Sequence, residues 1–217
     1  MKKLLYKECK LAASPLSYWF LAGALLTFVP GYPILLGAFF TTLGIFYSFQ
    51  SARENNDIPY TLLLPVSRKD AVTGKFAFTV LLETGSFLIM VLITAVRMLF
   101  LSDVPVYTEN ALMGANLTFL GFALVIFGLF NFIFLSGFFK TAYYFAKPFV
   151  AYSVSSLLVI TAAETLHHIP GAEALYVLGT ETVGAQAIAG AAGCVCFCVL
   201  TFTGYRRAVR RFLLADI

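Results

Sequence analysis

A chain of 217 residues that is 60% hydrophobic and only 12% charged cannot build the polar shell of a soluble globule, whose charged fraction is ordinarily about 25%. Its mean hydropathy of +0.87, with three of the four cysteines (Cys194, Cys196, Cys198) inside one apolar run, excludes a secreted disulfide scaffold, a disordered tail and an ordinary cytosolic enzyme. The net charge of +4 acts through its placement along a membrane-embedded chain and predicts no nucleic-acid partner.

In chain order, Lys3, Lys7 and Lys10 fall at helical spacing, and Leu4 and Leu11 sit a heptad apart on another face. This pattern predicts an amphipathic helix over residues 1–14, lying in the membrane interface with its basic face toward anionic headgroups. The stretch has the outline of a signal peptide, but Lys7, Glu8 and Lys10 interrupt it and the next run leads straight into a second hydrophobic segment, which argues for retention. Six apolar stretches follow, at residues 15–29, 33–52, 75–101, 110–138, 148–166 and 182–205. A helix needs about 20 residues to cross the hydrocarbon core, so the first is short. The turn Pro30-Gly31-Tyr32-Pro33 joins the first two as a tight hairpin. The whole chain reads as one all-α transmembrane domain, residues 1–217.

Fourteen of the 15 Lys and Arg lie in the N-terminal segment, the loop between the second and third stretches, the loop bearing Lys140 and Lys147, and the tail with Arg206, Arg207, Arg210 and Arg211. The opposite loops carry Asp103, Glu109, Glu173 and Glu181 instead. The positive-inside bias therefore predicts six crossings with both termini cytoplasmic.

The longest cytoplasmic loop, 53–74, has 22 residues, too few for a core of its own. It predicts a short helix over residues 57–64, with Asp57 as N-cap, Pro59 in the first turn, Ile58, Leu62, Leu63 and Leu64 as apolar residues, and Pro65 ending it. Such a helix is too short to stand alone in water. It suits docking in a partner's groove or resting on the lipid interface. Ser67-x-x-Asp70 is a capping box that starts the third span.

Glu54 followed by Asp57, then Leu63-Leu64-Pro65-Val66-Ser67-Arg68, then Val72 and Gly74-Lys75, resembles the cytoplasmic loop of ABC-2 type transporter permeases, the six-span membrane subunits of bacterial two-component ABC exporters. The resemblance implies that Asp57, Ile58, Tyr60, Leu62, Leu63 and Leu64 form a coupling helix touching a separate ATPase subunit, with Glu54, Ser67, Arg68 and Lys75 in the surrounding motif. It implies two permease subunits, identical or paralogous, with two ATPase subunits. ATP and Mg bind on the ATPases, and the complex sits in the bacterial cytoplasmic membrane. Exporters of amphipathic and antimicrobial peptides occur in the family, which makes such a peptide the expected cargo. The sequence itself holds no P-loop. The nearest approach, residues 179–184, lacks the following Lys-Ser/Thr, so this chain is expected to have no catalytic residues and no cofactor of its own.

Inside the spans, Gly37, Thr41, Gly44, Ser48 and Ser51 draw one small, weakly polar stripe along the second helix. It serves either helix packing or a subunit interface and translocation surface. Ala185, Ala189 and Gly193 do the same on the sixth. Glu83, about 12 Å along the third span from Lys75, is expected to face the bundle interior, because an unpaired carboxylate in lipid costs several kcal/mol. Arg97 can pair with Asp103 or Glu164 as an outer gate, or simply snorkel. Asn131 and the Ser153, Ser155, Ser156 group are expected as interhelical donors. Glu164-x-x-His167-His168 and Cys194-x-Cys-x-Cys198 allow metal readings, but ordinary polar contacts and small-residue packing explain them, and no metal is expected. The competing classes are an ion-coupled secondary transporter, which tends to show repeats and several midplane charges, an intramembrane enzyme, and a purely structural membrane protein.

Overall fold

The computed structural model describes residues 2–110, 112–178 and 182–215, with the side chain of His167 outside the described part. The described residues are 79% helical. Helix α1 runs Lys2–Lys7 and widens into a π-helical turn at Glu8–Ala12. The wider turn changes the register: Leu4 is buried, while Leu11 is 75% exposed, so the two leucines do not share the face that a regular heptad predicts.

The chain bends by 97° after α1. Ser14 then caps α2, accepting from the Leu16 N–H at 3.3 Å. Helix α2 is α-helical over Pro15–Trp19 and continues as a 3₁₀-helix over Phe20–Phe28. A 3₁₀-helix rises about 2 Å per residue against 1.5 Å in an α-helix, which brings these 14 residues to about 25 Å. The next helix, α3, is Leu36–Glu54, starting later and ending later than the 33–52 expected. Helix α4 is Asp57–Leu62, helix α5 is the long Arg68–Phe100, and α6 is the short Pro105–Thr108. Helix α7, Leu117–Phe138, starts seven residues after the expected 110. Asn116 supplies the reason, since its Oδ1 accepts from the Phe119 N–H at 3.0 Å and fixes the N-cap there. Helix α8 is Ala146–Thr165, α9 is Glu173–Tyr176, and α10 is Val183–Leu213. The last helix carries on through the basic tail, well past the expected 205.

Among the described residues four helices, α5, α7, α8 and α10, are long and apolar enough to cross a membrane, and a fifth span results if α1 and α2 count as one bent element. Helix α3 falls below that apolarity because of its Thr, Ser and Gln residues, yet Thr41, Thr42 and Ser48 are buried. Polar groups lie among the apolar side chains of the interior, while the outward faces of the long helices are mainly apolar. Leu88, Leu92 and Leu99 on α5, Leu157 and Leu158 on α8, and Ile188 and Val195 on α10 all point outward. That inside-out pattern is unstable in water and natural in lipid, where helix association relies on close packing and interhelical hydrogen bonds.

Packing follows from small residues and rings. Helix α10 lies against α7 so closely that a Cβ on Gly193 would overlap the backbone of Gly121, and one on Gly204 would lie 2.6 Å from the Asn131 carbonyl oxygen. Between α3, α7 and α8 sits an aromatic core. Phe46 stacks on Phe149 at 3.9 Å, Phe134 meets Phe49 edge-on at 5.3 Å, and the Tyr152 hydroxyl lies 2.6 Å from Thr42 Oγ1. A π-helical turn over Phe130–Leu135 in α7 contains Asn131, a feature with no local sequence signal.

Candidate coupling site

Helix α1, the loop 55–67 and the end of α10 meet at one end of the bundle. Asn56 takes the left-handed conformation (φ 51°, ψ 34°) before α4, which asparagine tolerates better than most residues. The N-cap is thus Asn56, one position before the expected Asp57, which is instead the first helical residue. The helix ends at Leu62 rather than 64, because Pro65 disfavours helical backbone at Leu64.

Asp57 enters a cluster of four charges, in which Glu8 and Lys75 are buried and Lys7 and Asp57 partly so. Lys7 Nζ lies 2.6 Å from Asp57 Oδ1 and 2.9 Å from Glu8 Oε1. Lys75 Nζ lies 2.8 Å from Asp57 Oδ2 and 2.5 Å from Glu8 Oε2. These Lys75 contacts are charge contacts rather than aligned hydrogen bonds, because the same two oxygens have no partner in hydrogen-bond geometry. Two cations and two carboxylates alternate, so the group is neutral as a whole, which is how a protein limits the desolvation cost of buried ions. Lys7 also donates to Thr61 Oγ1 at 2.7 Å, and Thr61 donates to the Asp57 carbonyl at 2.7 Å. Lys75 lies 5.7 Å from the centre of the Phe49 ring. The cluster joins α1, α4 and α5.

Burial pushes the Asp57 carboxyl up, but Lys75 and Lys7 outweigh it and hold it below the usual carboxylate range. A lowered folded value stabilises above the unfolded value of about 3.9 and loses that contribution as pH falls through the lower folded value. Acidification below about pH 4 is therefore expected to release α1 before the bundle unfolds, read as faster hydrogen exchange at residues 2–12. Uniform exchange across all helices at that pH would contradict this.

Around the cluster, Ser67 and Asp70 form the expected capping box. The Asp70 N–H donates to Ser67 Oγ at 3.1 Å and the Ser67 N–H to Asp70 Oδ2 at 3.2 Å. Arg68 donates to the carbonyls of Phe212 and Ala215 at 3.2 and 2.7 Å, satisfying the orphan C-terminal acceptors of α10. Glu54 is exposed and accepts from Gln50 at 3.1 Å. Ile58 and Thr61 are buried and Leu62 packs against the core. Tyr60 (64%), Leu63 (81%) and Leu64 (51%) stand exposed on the other side. The loop thus presents an apolar tip whose back is bolted to two other helices.

The structure places the remaining predicted residues in two other groups. Gly37 and Gly44 admit α2 against α3: a Cβ on Gly37 would lie 2.6 Å from the Gly23 carbonyl oxygen, and one on Gly44 would overlap Phe20. Thr41 meets Ser86 at 2.7 Å, and Ser48 meets Ser17 at 2.6 Å while accepting from the Ser14 N–H at 2.9 Å. The stripe therefore packs α3 against α2 and α5 within the chain. Glu83 is buried and accepts from Asn131 Nδ2 at 2.9 Å, and Asn131 also reaches Thr201 Oγ1 at 3.0 Å. This ties α5, α7 and α10 together.

Toward the opposite end, Arg97, Asp103 and Glu164 are not brought together. Buried Arg97 donates to the Thr27 carbonyl at 2.7 Å and lies 4.4 Å from the Tyr107 ring centre. Asp103 faces Ser102 at 3.5 Å, and Glu164 accepts from the Met113 N–H at 2.8 Å. Among the described residues no three His, Cys, Asp or Glu side chains are grouped for a metal. The Glu164-x-x-His167-His168 reading falls partly outside those residues, as do Glu181 and the stretch 179–184. Cys194 and Cys198 are exposed on α10.

Reading the sequence alone misses Lys7 and Glu8, and likewise Ser17, Ser86, Thr27 and Tyr107. Glu8 left a signal: it is the sole acid in a run otherwise holding Lys2, Lys3, Lys7 and Lys10.

These features define a helical membrane protein with a polar-seamed interior and an apolar tip on one short loop helix. The profile of the family described as an ABC-2 family transporter protein matches residues 3–205, and the chain belongs to that family. It is a permease of an ABC transporter, a membrane transport component that is not itself catalytic, and its family implies association with an ABC ATPase. No curated protein and no solved structure matches the chain.

Proposed function

We propose that this permease is the membrane subunit of an ATP-driven exporter in the bacterial cytoplasmic membrane, and that α4 is its coupling helix. Two permease subunits act with two ATPase subunits, and both termini lie in the cytoplasm. Six crossings follow if α2 and α3 each span: their lengths of about 25 and 28 Å approach the hydrocarbon thickness, and Thr41, Thr42 and Ser48 of α3 are covered by neighbouring helices.

The observation that carries this reading is the two-sided character of α4. Tyr60, Leu63 and Leu64 are exposed, on a helix too short to hold itself, while Asp57 on its back is locked by Lys7 and Lys75. A free-swinging loop would absorb a push from a partner. A helix fixed to α1 and α5 passes it on, so closure of the ATPases on nucleotide shifts the bundle between two packings. The cargo is an amphipathic peptide, in keeping with the family resemblance.

Purification of the complex from native membranes tests this. An ATPase is expected to accompany the chain, and vesicles containing both are expected to move an amphipathic peptide only with ATP. Transport by this chain alone, without nucleotide, would contradict it and favour ion-coupled secondary transport.

A further inference from the structure

The four arginines of the tail divide into two pairs with different surroundings. Arg207 lies 5.4 Å from the Phe132 ring centre and Arg211 donates to the Ser136 carbonyl at 2.8 Å, so both turn toward α7. Arg206 and Arg210, one helical turn apart, face the other way. With Lys69 they rim an open groove between the first turn of α5 and the end of α10, walled by Tyr205, Val209, Leu213 and Leu214.

The groove has a fixed wall. The Tyr205 hydroxyl lies 3.0 Å from Thr73 Oγ1, and its ring meets Phe76 edge-on at 5.5 Å. Arg206 lies 5.7 Å from the centre of the Phe202 ring. The carboxylate of Asp70, next to Lys69 in the chain, is held by Ser67. None of the three cations forms an ion pair among the described residues. Leu213 and Leu214 are 57% and 77% exposed.

Three cations with no ion pair among the described residues, beside an exposed aliphatic wall, match an ionised headgroup attached to hydrocarbon. They do not match a soluble anion, which gains nothing from the leucines, or neutral lipid, which gains nothing from the charges. We propose that this groove binds an anionic phospholipid of the inner leaflet, with its phosphate between Lys69, Arg206 and Arg210 and an acyl chain along Tyr205, Val209 and Leu213. The site rests on the cytoplasmic placement of the tail given above. It lies where Arg68 ties α10 to the loop that carries α4, so a bound lipid would brace that joint.

The test uses the full chain in neutral detergent, read by native mass spectrometry with phosphatidylglycerol or phosphatidylcholine added. The wild type is expected to retain phosphatidylglycerol selectively. At about fivefold per cation near a membrane surface, the variant Lys69→Gln/Arg206→Gln/Arg210→Gln is expected to bind it on the order of a hundredfold more weakly. A control with Lys2→Gln, Lys3→Gln and Lys10→Gln, which removes equal charge elsewhere, is expected to keep most of the binding. Equal retention by the groove variant and the wild type would overturn the proposal. So would competition by soluble glycerophosphoglycerol as effective as that of the intact lipid, or disulfide cross-linking of two copies through Arg206→Cys, which would make the groove a dimer contact. Labelling of Leu214→Cys in sealed vesicles reads the topology separately. Label from the cytoplasmic side without lipid selectivity overturns the lipid site alone, and label from the outside overturns the exporter topology together with the site.

Discussion

Replacing Lys75 with methionine is expected to destabilise the protein by about 3–5 kcal/mol, the usual effect of removing one member of a buried ion group. The methionine fits the space but leaves Glu8 and Asp57 sharing the single positive charge of Lys7. Both carboxylates are largely withdrawn from water, with side-chain exposures of 4% and 12%, so water cannot replace the lost partner. The result is measured as thermal unfolding in detergent, with hydrogen exchange at residues 2–12 showing whether α1 comes away first. Adding Asp57→Asn to Lys75→Met removes the surplus negative charge and is expected to recover part of the loss, a coupling that a double-mutant cycle reads directly. Wild-type unfolding of Lys75→Met would mean that the cluster does not hold α1 and α4 in place.

The second large effect is functional. Leu63→Asp is expected to leave the unfolding temperature within about 0.5 kcal/mol of wild type, as for most surface substitutions, because Leu63 is 81% exposed. It is expected to lower cargo-stimulated ATP hydrolysis by tenfold or more, since burying a leucine in a partner's groove contributes about 1.5–3 kcal/mol. Leu62→Asp serves as the contrast. Leu62 packs against the core, so its substitution is expected to destabilise the permease itself. Two neighbouring leucines on one short helix should therefore give different defects, one of coupling and one of folding. Identical behaviour would remove the two-sided view of α4.

What the sequence makes legible depends on whether the signal is local. The long apolar helices are visible because every residue in a run of 20 reports the same environment. The Ser67–Asp70 box is visible because both of its hydrogen bonds close within four residues. The Asp57–Lys75 pair was reachable only as two motif positions, and their partners Lys7 and Glu8 lie about 50 residues from Asp57 along the chain. Nothing in their spacing points to α4, and Lys7 at helical spacing with Lys3 and Lys10 reads naturally as a headgroup contact. Leu11 leaves the expected face because the π-helical turn at Glu8–Ala12 shifts the register, which no residue in that turn announces. The polar stripe of α3 was visible, but not what it meets. Ser17 and Ser86 are ordinary serines until folding sets them beside Ser48 and Thr41. The partner of Arg97 is missed for a different reason: it is the backbone carbonyl of Thr27, and every residue carries a carbonyl.

The contact between α4 and its partner can be trapped where it is proposed to form. With a photoreactive amino acid at position 63 in the intact complex, irradiation is expected to link the permease to the ATPase, and the same group at position 62 is expected to give little of that product. Linkage from position 63 to lipid alone, in a complex that still contains the ATPase, would contradict the account.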